Sequence, residues 1–391
     1  MGRSAIVVGG GIGGLSAARA LVRTGWDVNV YEQAPEIRPV GAGVGIGPNA
    51  VRAMDWLGLG DQLRARGVWQ DGMRIRLQSG RQVVGLPGAA IRRRYGEPFV
   101  ALHRAELHDI LLSSLDPAIL HTGHSAVRVH TDDDAASVTF DTAQGPHTAT
   151  ADLVVAADGV RSRLRASLFP AYPGPSYAGY TVWRGIVATT DASALHIPPV
   201  LSETWGQAAR FGIAVIDGGR VYWFACESMP EHDTPEHSLS ALADRFRRWH
   251  DPIPGLLAAT ADHTLLRHDV YYLRHPLRRF IQGRVVLLGD AAHAVTPDIG
   301  QGACLAVEDA VVLADALSRR SIAEALTAYD TLRRARTQPM VKSSGRLAHV
   351  LQLADPIAVG LRDGLASLIP ASAFLRFAGA AFAWTPPQPA D

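Results

Sequence analysis

Apolar residues along this chain change their period several times, and each change marks a predicted element. Residues 4–8 (Ser-Ala-Ile-Val-Val) form an almost wholly apolar run, the pattern of a parallel strand covered on both faces. The period then turns helical, with Leu15, Ala18, Leu21 and Val22 on one face and Gly25 where a helix C-terminus is capped. A second strand over residues 27–31 leads to Glu32. Leu107, Ile110, Leu111 and Leu115 recur at helical spacing behind Arg104. Two more apolar runs, 152–157 and 285–288, read as buried strands, and a helix carrying Leu305, Ala306, Asp309, Ala310 and Leu313 follows the second. Between about 172 and 275 the pattern shifts to strands and hairpins. The stretch 41–48 is too rich in glycine to read as a strand and ends at Pro48, a favourable first helical residue.

The breaks between these elements carry the chemistry. The first strand runs into Gly9-Gly10-Gly11-Ile12-Gly13-Gly14, which contains G-x-G-x-x-G at Gly9, Gly11 and Gly14. Strand, glycine loop, helix, strand and acid come in the order a dinucleotide site requires. Gly9 permits the tight turn, Gly11 lets the backbone approach a pyrophosphate, and Gly14 allows close helix–strand contact. The helix N-terminus offers free N–H groups to phosphate, and Glu32 can accept from ribose hydroxyls. The 152–157 strand releases Asp158-Gly159, followed by Arg161, Arg163 and Arg165, which read equally as ligand-facing or as a solvated helix face. The 285–288 strand delivers Gly289-Asp290, and Pro297 with Gly300-Gln301-Gly302 opens the next helix. Arg104 in a first helical turn opposes the helix dipole, a conflict that a bound anion would relieve. These segments converge on FAD: Asp290 can bind ribityl hydroxyls, and the glycine-rich helix start can aim N–H groups at the flavin N1–C2=O edge.

Composition narrows the class. The 391 residues are 47 % hydrophobic and 19 % charged with a net charge of +1, which is globular and offers no field for nucleic acid or an acidic membrane. Cys226 and Cys304 are the only cysteines, so no disulfide framework exists, and a reducing, cytoplasmic setting is expected. No charged leader precedes the first strand, and no run reaches the roughly 18 uncharged apolar residues of a membrane span. The apolar tail 365–384 is broken by Pro370 and Arg376 and reads as one or two packing helices, with loose membrane association as the alternative. No H-E-x-x-H or comparable cluster suggests a metal, so His293 is assigned a structural part.

Taken together, the motifs at residues 9–14, Asp158-Gly159 and Gly289-Asp290, with Arg104 and 297–302, resemble the para-hydroxybenzoate hydroxylase-like family of FAD-dependent monooxygenases along nearly the whole chain. Residues 180–187, Thr204-Trp205-Gly206, 220–224 and Trp384-Thr385-Pro386-Pro387 look most like the branch with FAD-dependent urate hydroxylase and zeaxanthin epoxidase. The resemblance implies an α/β fold: a Rossmann-type FAD-binding domain with a parallel sheet over 1–70, 96–171 and 276–345. A mostly antiparallel substrate-binding sheet domain over 71–95 and 172–275 would interleave with it, before a C-terminal helical segment over 346–391. It implies that Glu32 and Asp290 bind FAD hydroxyls, Arg104 its phosphates, and Asp158 the pyrophosphate region. Gly13, Gln33, Val44, Pro297, Gly300, Gln301, Gly302, Ala303 and Cys304 join Gly9, Gly11 and Gly14 as further cofactor contacts. Cys304 stands where para-hydroxybenzoate hydroxylases have Asn, so only its backbone donor is carried over.

NADPH or NADH is the implied reductant without a second nucleotide domain, and no second G-x-G-x-x-G unit occurs. The implied reaction inserts one atom of O2, through a flavin C4a-hydroperoxide, into a small aromatic or heteroaromatic substrate, by hydroxylation or epoxidation. No catalytic base is assigned. Runs 210–216 and 220–226 flank Asp217-Gly218-Gly219; a three-residue loop places Arg210 and Tyr222 on one sheet face, a two-residue loop separates them. The resemblance favours the first register, with both residues in the substrate pocket. The remaining readings are a flavin dehydrogenase or reductase on the same scaffold and a catalytically silent FAD-binding protein. The protein is expected to act as a monomer or homodimer.

Overall fold

The computed structural model of the chain describes residues 3–37, 41–233 and 238–388. One sheet has six strands in the order Ile281–Gln282, Val285–Leu287, Leu153–Ala156, Ser4–Val8, Asp27–Tyr31, Leu120–His121. Every neighbouring pair is parallel except the outermost, Ile281–Gln282 with Val285–Leu287. The inner strands are runs of Val, Ile and Leu because both their faces are covered, and Val7, Val154, Val155, Val286 and Leu287 are fully buried. The Ile12–Arg23 helix packs against the Gly302–Arg319 helix on this sheet. Parallel pairing brings the carboxyl ends of Ser4–Val8, Leu153–Ala156 and Val285–Leu287 to one edge, and all three nucleotide motifs with them.

The second sheet has seven strands, ordered Leu266–Tyr272, Ser176–Val187, Val221–Ser228, Ala209–Val215, Leu201–Trp205, Gly72–Leu77, Gln82–Pro87. It is antiparallel except where Leu201–Trp205 meets Gly72–Leu77. Asp217-Gly218-Gly219 is a three-residue loop, closed by Ile216 N–H donating to the Arg220 carbonyl at 2.8 Å. Gly218 and Gly219 both take positive φ (66° and 72°), which is why this turn wants glycine twice. The register sets Ala214 opposite Tyr222 and Arg210 opposite Cys226, so Arg210 and Tyr222 share a face. The sheet's aromatic residues divide between its two sides. Trp183, Phe211 and Trp223 pack with Phe246 in a core beneath the Leu239–Phe246 and Ile253–Ala258 helices. Tyr180, Tyr222 and Phe224 lie on the Arg210 side.

The structure corrects two expectations and decides part of a third that the sequence left open. Gly43–Ile46 is a strand despite its glycines, because Phe99–His103 supplies an antiparallel partner for its backbone. A side chain at 43 would collide with the ring of Tyr222, so glycine there serves packing between the two sheets. Val22 is 38 % exposed and lies off the buried face of its helix. Arg165, one of three arginines open to a solvated reading, is buried. Pro48 does begin a helix, Pro48–Trp56, and Arg52 Nε reaches the Trp384 carbonyl at 3.2 Å, tying the C-terminal tail to it. That tail forms two helices, Pro356–Ser367 and Ala371–Phe382, the first exposing Ile357, Leu361 and Leu365. Among the described residues no single helix is long and apolar enough to cross a membrane.

Candidate active site

At the carboxyl edge of the parallel sheet, backbone bonds hold the three motifs side by side. Gly9 N–H donates to the Tyr31 carbonyl at 2.8 Å, Ala157 N–H to Val8 at 2.8 Å, and Leu288 N–H to Ala156 at 3.0 Å. Each glycine of the loop meets different surroundings. A Cβ on Gly9 would strike the Ala157 carbonyl, and one on Gly14 would strike the Gly9 carbonyl; at Gly11 no protein atom lies within 4 Å. Gly9 and Gly14 therefore let backbones touch, whereas Gly11 keeps a surface open to a ligand. Gly13 lies against Leu288 and Ala306. Glu32 accepts from Gly10 N–H at 2.6 Å and Ala34 N–H at 2.8 Å, which fixes its carboxylate beside the loop with acceptor capacity to spare. Its neighbour Gln33 is exposed.

Asp158 is committed to its own turn: Ser162 Oγ donates to it at 2.5 Å and Leu164 N–H at 3.1 Å. Arg165 then bridges to the next motif, donating to the Ala291 carbonyl at 3.0 Å and the Val160 carbonyl at 2.6 Å. Gly289 N–H donates to Asp309 Oδ2 at 2.8 Å, and His293 Nε2 meets the same oxygen at 2.6 Å. Buried Arg333 pairs with the other Asp309 oxygen, so His293 is a structural strut of the turn. Asp290 reaches solvent at this edge, yet the protein around it raises its carboxyl pKa. Arg104 likewise reaches solvent; burial of its stem and the nearby charge of Arg184 lower its pKa, while Asp290 opposes this. An open glycine backbone, a fixed carboxylate, an accessible cation and an accessible acid along one sheet edge fit the hydroxyls and pyrophosphate of FAD.

The Pro297–Ile299 turn and left-handed Gly300 (φ 61°, ψ 29°) lead into the Gly302–Arg319 helix. Gly302 and Ala303 are half-buried in its first turn. Gln301 is buried and accepts from Asn49 Nδ2 at 2.9 Å; Cys304 Sγ takes the Gly47 N–H at 3.4 Å. These bonds fasten the 43–48 segment, including half-buried Val44, to the helix start. Because the Cys304 side chain is turned toward Gly47, only backbone donors face elsewhere. Burial pushes the thiols of Cys304 and Cys226 up to about 12, so neither is a nucleophile near neutral pH.

Across from this edge, Arg210 is the most deeply buried cation of the antiparallel sheet, at 1 % exposure. Its Nη1 meets Glu203 at 3.1 Å and its Nη2 lies 2.7 Å from Asp298 Oδ1, outside hydrogen-bond alignment. Nε has no hydrogen-bond partner among the described residues. Tyr180 donates from its hydroxyl to Asp298 Oδ2 at 2.6 Å, and the guanidinium stands over the rings of Tyr180 and Phe224 at 5.6 and 5.7 Å. Asp298 belongs to the 297–302 turn, so this pair joins the antiparallel sheet to the cofactor-side turn. Burial alone would lower the Arg210 pKa, but the surrounding acids raise it, and it stays cationic.

Residues missed from the sequence stand in the same region. Arg184 shares the Arg210 face, and His268 sits in the same cross-strand row, opposite Val182. Burial and then the charges of Arg184 and Arg104 lower the His268 pKa, keeping its imidazole neutral at pH 7. A period-2 reading outward from Arg210 and Tyr222 would have found Arg184; His268 needed the bulged pairing of Ser176–Val187 with Leu266–Tyr272. Among the described residues no group of three or more His, Cys, Asp or Glu could hold a metal.

Comparison with known proteins agrees with this geometry. The FAD binding domain family matches residues 3–344. The chain is 37 % identical to the aurachin C monooxygenase/isomerase of Stigmatella aurantiaca over 367 residues, covering 93 % of this chain and 94 % of that protein. It is 36 % identical to the FAD-dependent urate hydroxylase of Klebsiella pneumoniae over 348 residues, covering 86 % and 87 %. The crystal structure of Klebsiella pneumoniae HpxO complexed with FAD and uric acid superposes with a TM-score of 0.90 at 32 % identity, covering 97 % of this chain and 96 % of that one.

Proposed function

This chain belongs to the FAD-dependent monooxygenase family of aromatic and heteroaromatic hydroxylases, and from that membership we propose that it is an NAD(P)H-consuming hydroxylase of a small planar ring compound. The observation that carries this reading is Arg210: a buried guanidinium with an unsatisfied Nε–H, flanked by aromatic faces and paired to the turn that opens the Gly302–Arg319 helix. A buried donor without a partner is costly, and a planar acceptor such as a ring carbonyl, ring nitrogen or phenolate would satisfy it. Tyr222, on the same face, closes over Gly43 and would shield one side of the bound ring.

Bound FAD would supply electron uptake from the nicotinamide donor and activation of O2. The chain's own residues do the rest. Gly11 leaves room for the pyrophosphate, Arg104 offsets its charge, and Glu32 and Asp290 accept from ribose and ribityl hydroxyls. Backbone N–H groups of Gly302, Ala303 and Cys304 at the helix start stabilise negative charge on the flavin ring. Arg210 orients the substrate and draws electron density toward its acceptor atom, while the aromatic faces exclude water. Relatives named for urate and for 3-amino-4-hydroxybenzoate set the substrate size we expect.

The test is a panel of phenols, indoles and purines added to FAD-loaded protein with NADH or NADPH. A substrate should accelerate NAD(P)H oxidation and be hydroxylated. Flavin reduction that no ring compound accelerates, and that yields no oxygenated product, would move the protein to the dehydrogenase reading.

A further inference from the structure

The chain has one strand–glycine loop–helix unit, and FAD takes it, so the reductant needs a place of its own. The turn that carries Asp290 continues through Ala292 and His293 into the wall of a second concavity of about 730 Å³. That volume lies within the range of small-molecule sites, about 300–1,000 Å³. Leu273, Leu277, Ala292 and Val341 give it an apolar lining, while Arg274, Arg334 and Lys342 give it cations.

The cations are a local excess in a chain of net charge +1. Residues 270–289 hold four arginines and no acid. Residues 331–354 hold Arg333, Arg334, Arg336, Lys342 and Arg346, again without an acid. Arg333 and Arg336 are engaged by Glu308 and Asp309, and Arg334 by Asp330 at 2.9 Å. Among the described residues Arg274 and Lys342, the only lysine in the chain, have no acidic partner. Pro339 lies inside the Ile322–Leu351 helix and lacks the N–H that would bond the Ala335 carbonyl, and both residues line the cleft. The wall therefore pairs fixed positive charge with a backbone acceptor released from its helical partner.

We propose that this cleft binds the ADP-ribose diphosphate half of NADH or NADPH, an inference that rests on the function proposed above. The apolar lining takes the adenine ring, the Ala335 carbonyl accepts from an amino or hydroxyl group, and Arg274 and Lys342 offset the diphosphate. His293 and Ala292 join this wall to the Asp290 turn, so the site borders the cofactor edge without using its glycine loop.

The test is calorimetric titration of FAD-loaded protein with ADP-ribose, alongside the KM for NAD(P)H. In the Arg274→Ala/Lys342→Ala double variant both should weaken, by about 10-fold per charge removed, with FAD retained. Lys342→Arg should restore most of the loss. ADP-ribose binding unchanged in the double variant would overturn the assignment, as would inorganic pyrophosphate binding as tightly as ADP-ribose, which marks a general anion site. Protein that holds no FAD would instead overturn the proposed function, and the ADP-ribose titration would still decide the cleft.

Discussion

Arg210 and Asp309 show how single buried charges connect the two sheets to the site. Arg210→Ala leaves Asp298 buried without its cation, a loss of about 3–5 kcal/mol in comparable pairs, and also removes the donors proposed for substrate. Arg210→Lys keeps the charge but not the planar fork, so it should melt near the parent temperature while turnover falls about 10- to 100-fold. Melting curves and steady-state rates on both variants separate the effects; full turnover in Arg210→Lys would take the guanidinium out of the pocket. At Asp309, burial by itself raises the carboxyl pKa, but His293, Arg333 and the Gly289 amide more than reverse this and hold it below the usual range. Its stabilisation is complete above the unfolded value of about 3.9 and disappears as pH falls through the lower folded value. Parent protein should therefore lose stability below about pH 4, and Asp309→Asn should melt lower at neutral pH with a flatter acid limb. Parallel melting profiles for the two proteins would remove Asp309 from that account. The positions of Glu32 and Asp290 were legible because each follows closely on a buried strand, Asp27–Tyr31 and Val285–Leu287, where sequence order alone gives position. Asp298 and Arg184 were not, since their meaning comes from partners more than 80 residues away or on a neighbouring strand.

At the scale of elements, the glycine loop gives the sharpest contrast. Gly14→Ala would drive a methyl group into the Gly9 carbonyl, a backbone atom that cannot step aside, whereas Gly11→Ala meets no protein atom within 4 Å. The first variant should fail to accumulate as folded protein. The second should fold with an unchanged melting temperature before FAD is added, yet bind FAD about 10-fold or more weakly, because the added methyl intrudes on the pyrophosphate. Flavin titration with melting curves checks both, and equal FAD affinity in Gly11→Ala would show that the ligand does not approach there. The strand–loop–helix order was readable because buried parallel strands are continuous apolar runs. Gly43–Ile46 was not, because a four-residue strand with two glycines owes its pairing to Phe99–His103 and its small residues to the Tyr222 ring. The hairpin register was left open between two loop lengths and was settled by Val215 facing Val221.

For the whole molecule, one parallel sheet sets three motifs along a single edge, and the antiparallel sheet brings Arg210 to them through Asp298. That convergence was expected from motif order across the chain, but the crossing of Gly72–Leu77 and Gln82–Pro87 to the far end of the second sheet is a long-range pairing that local pattern only suggests. The division of the sheet's aromatics, Trp183, Phe211 and Trp223 into a core and Tyr222 toward the site, was likewise hidden, because apolar strands covered on both faces lose their alternation. The most direct measurement on the intact enzyme supplies isotopically labelled O2 with NAD(P)H and a ring compound that accelerates its oxidation. A monooxygenase account predicts one labelled oxygen atom in each product molecule, at a carbon of the ring. Product formed without label, or with oxygen drawn from water, would contradict it.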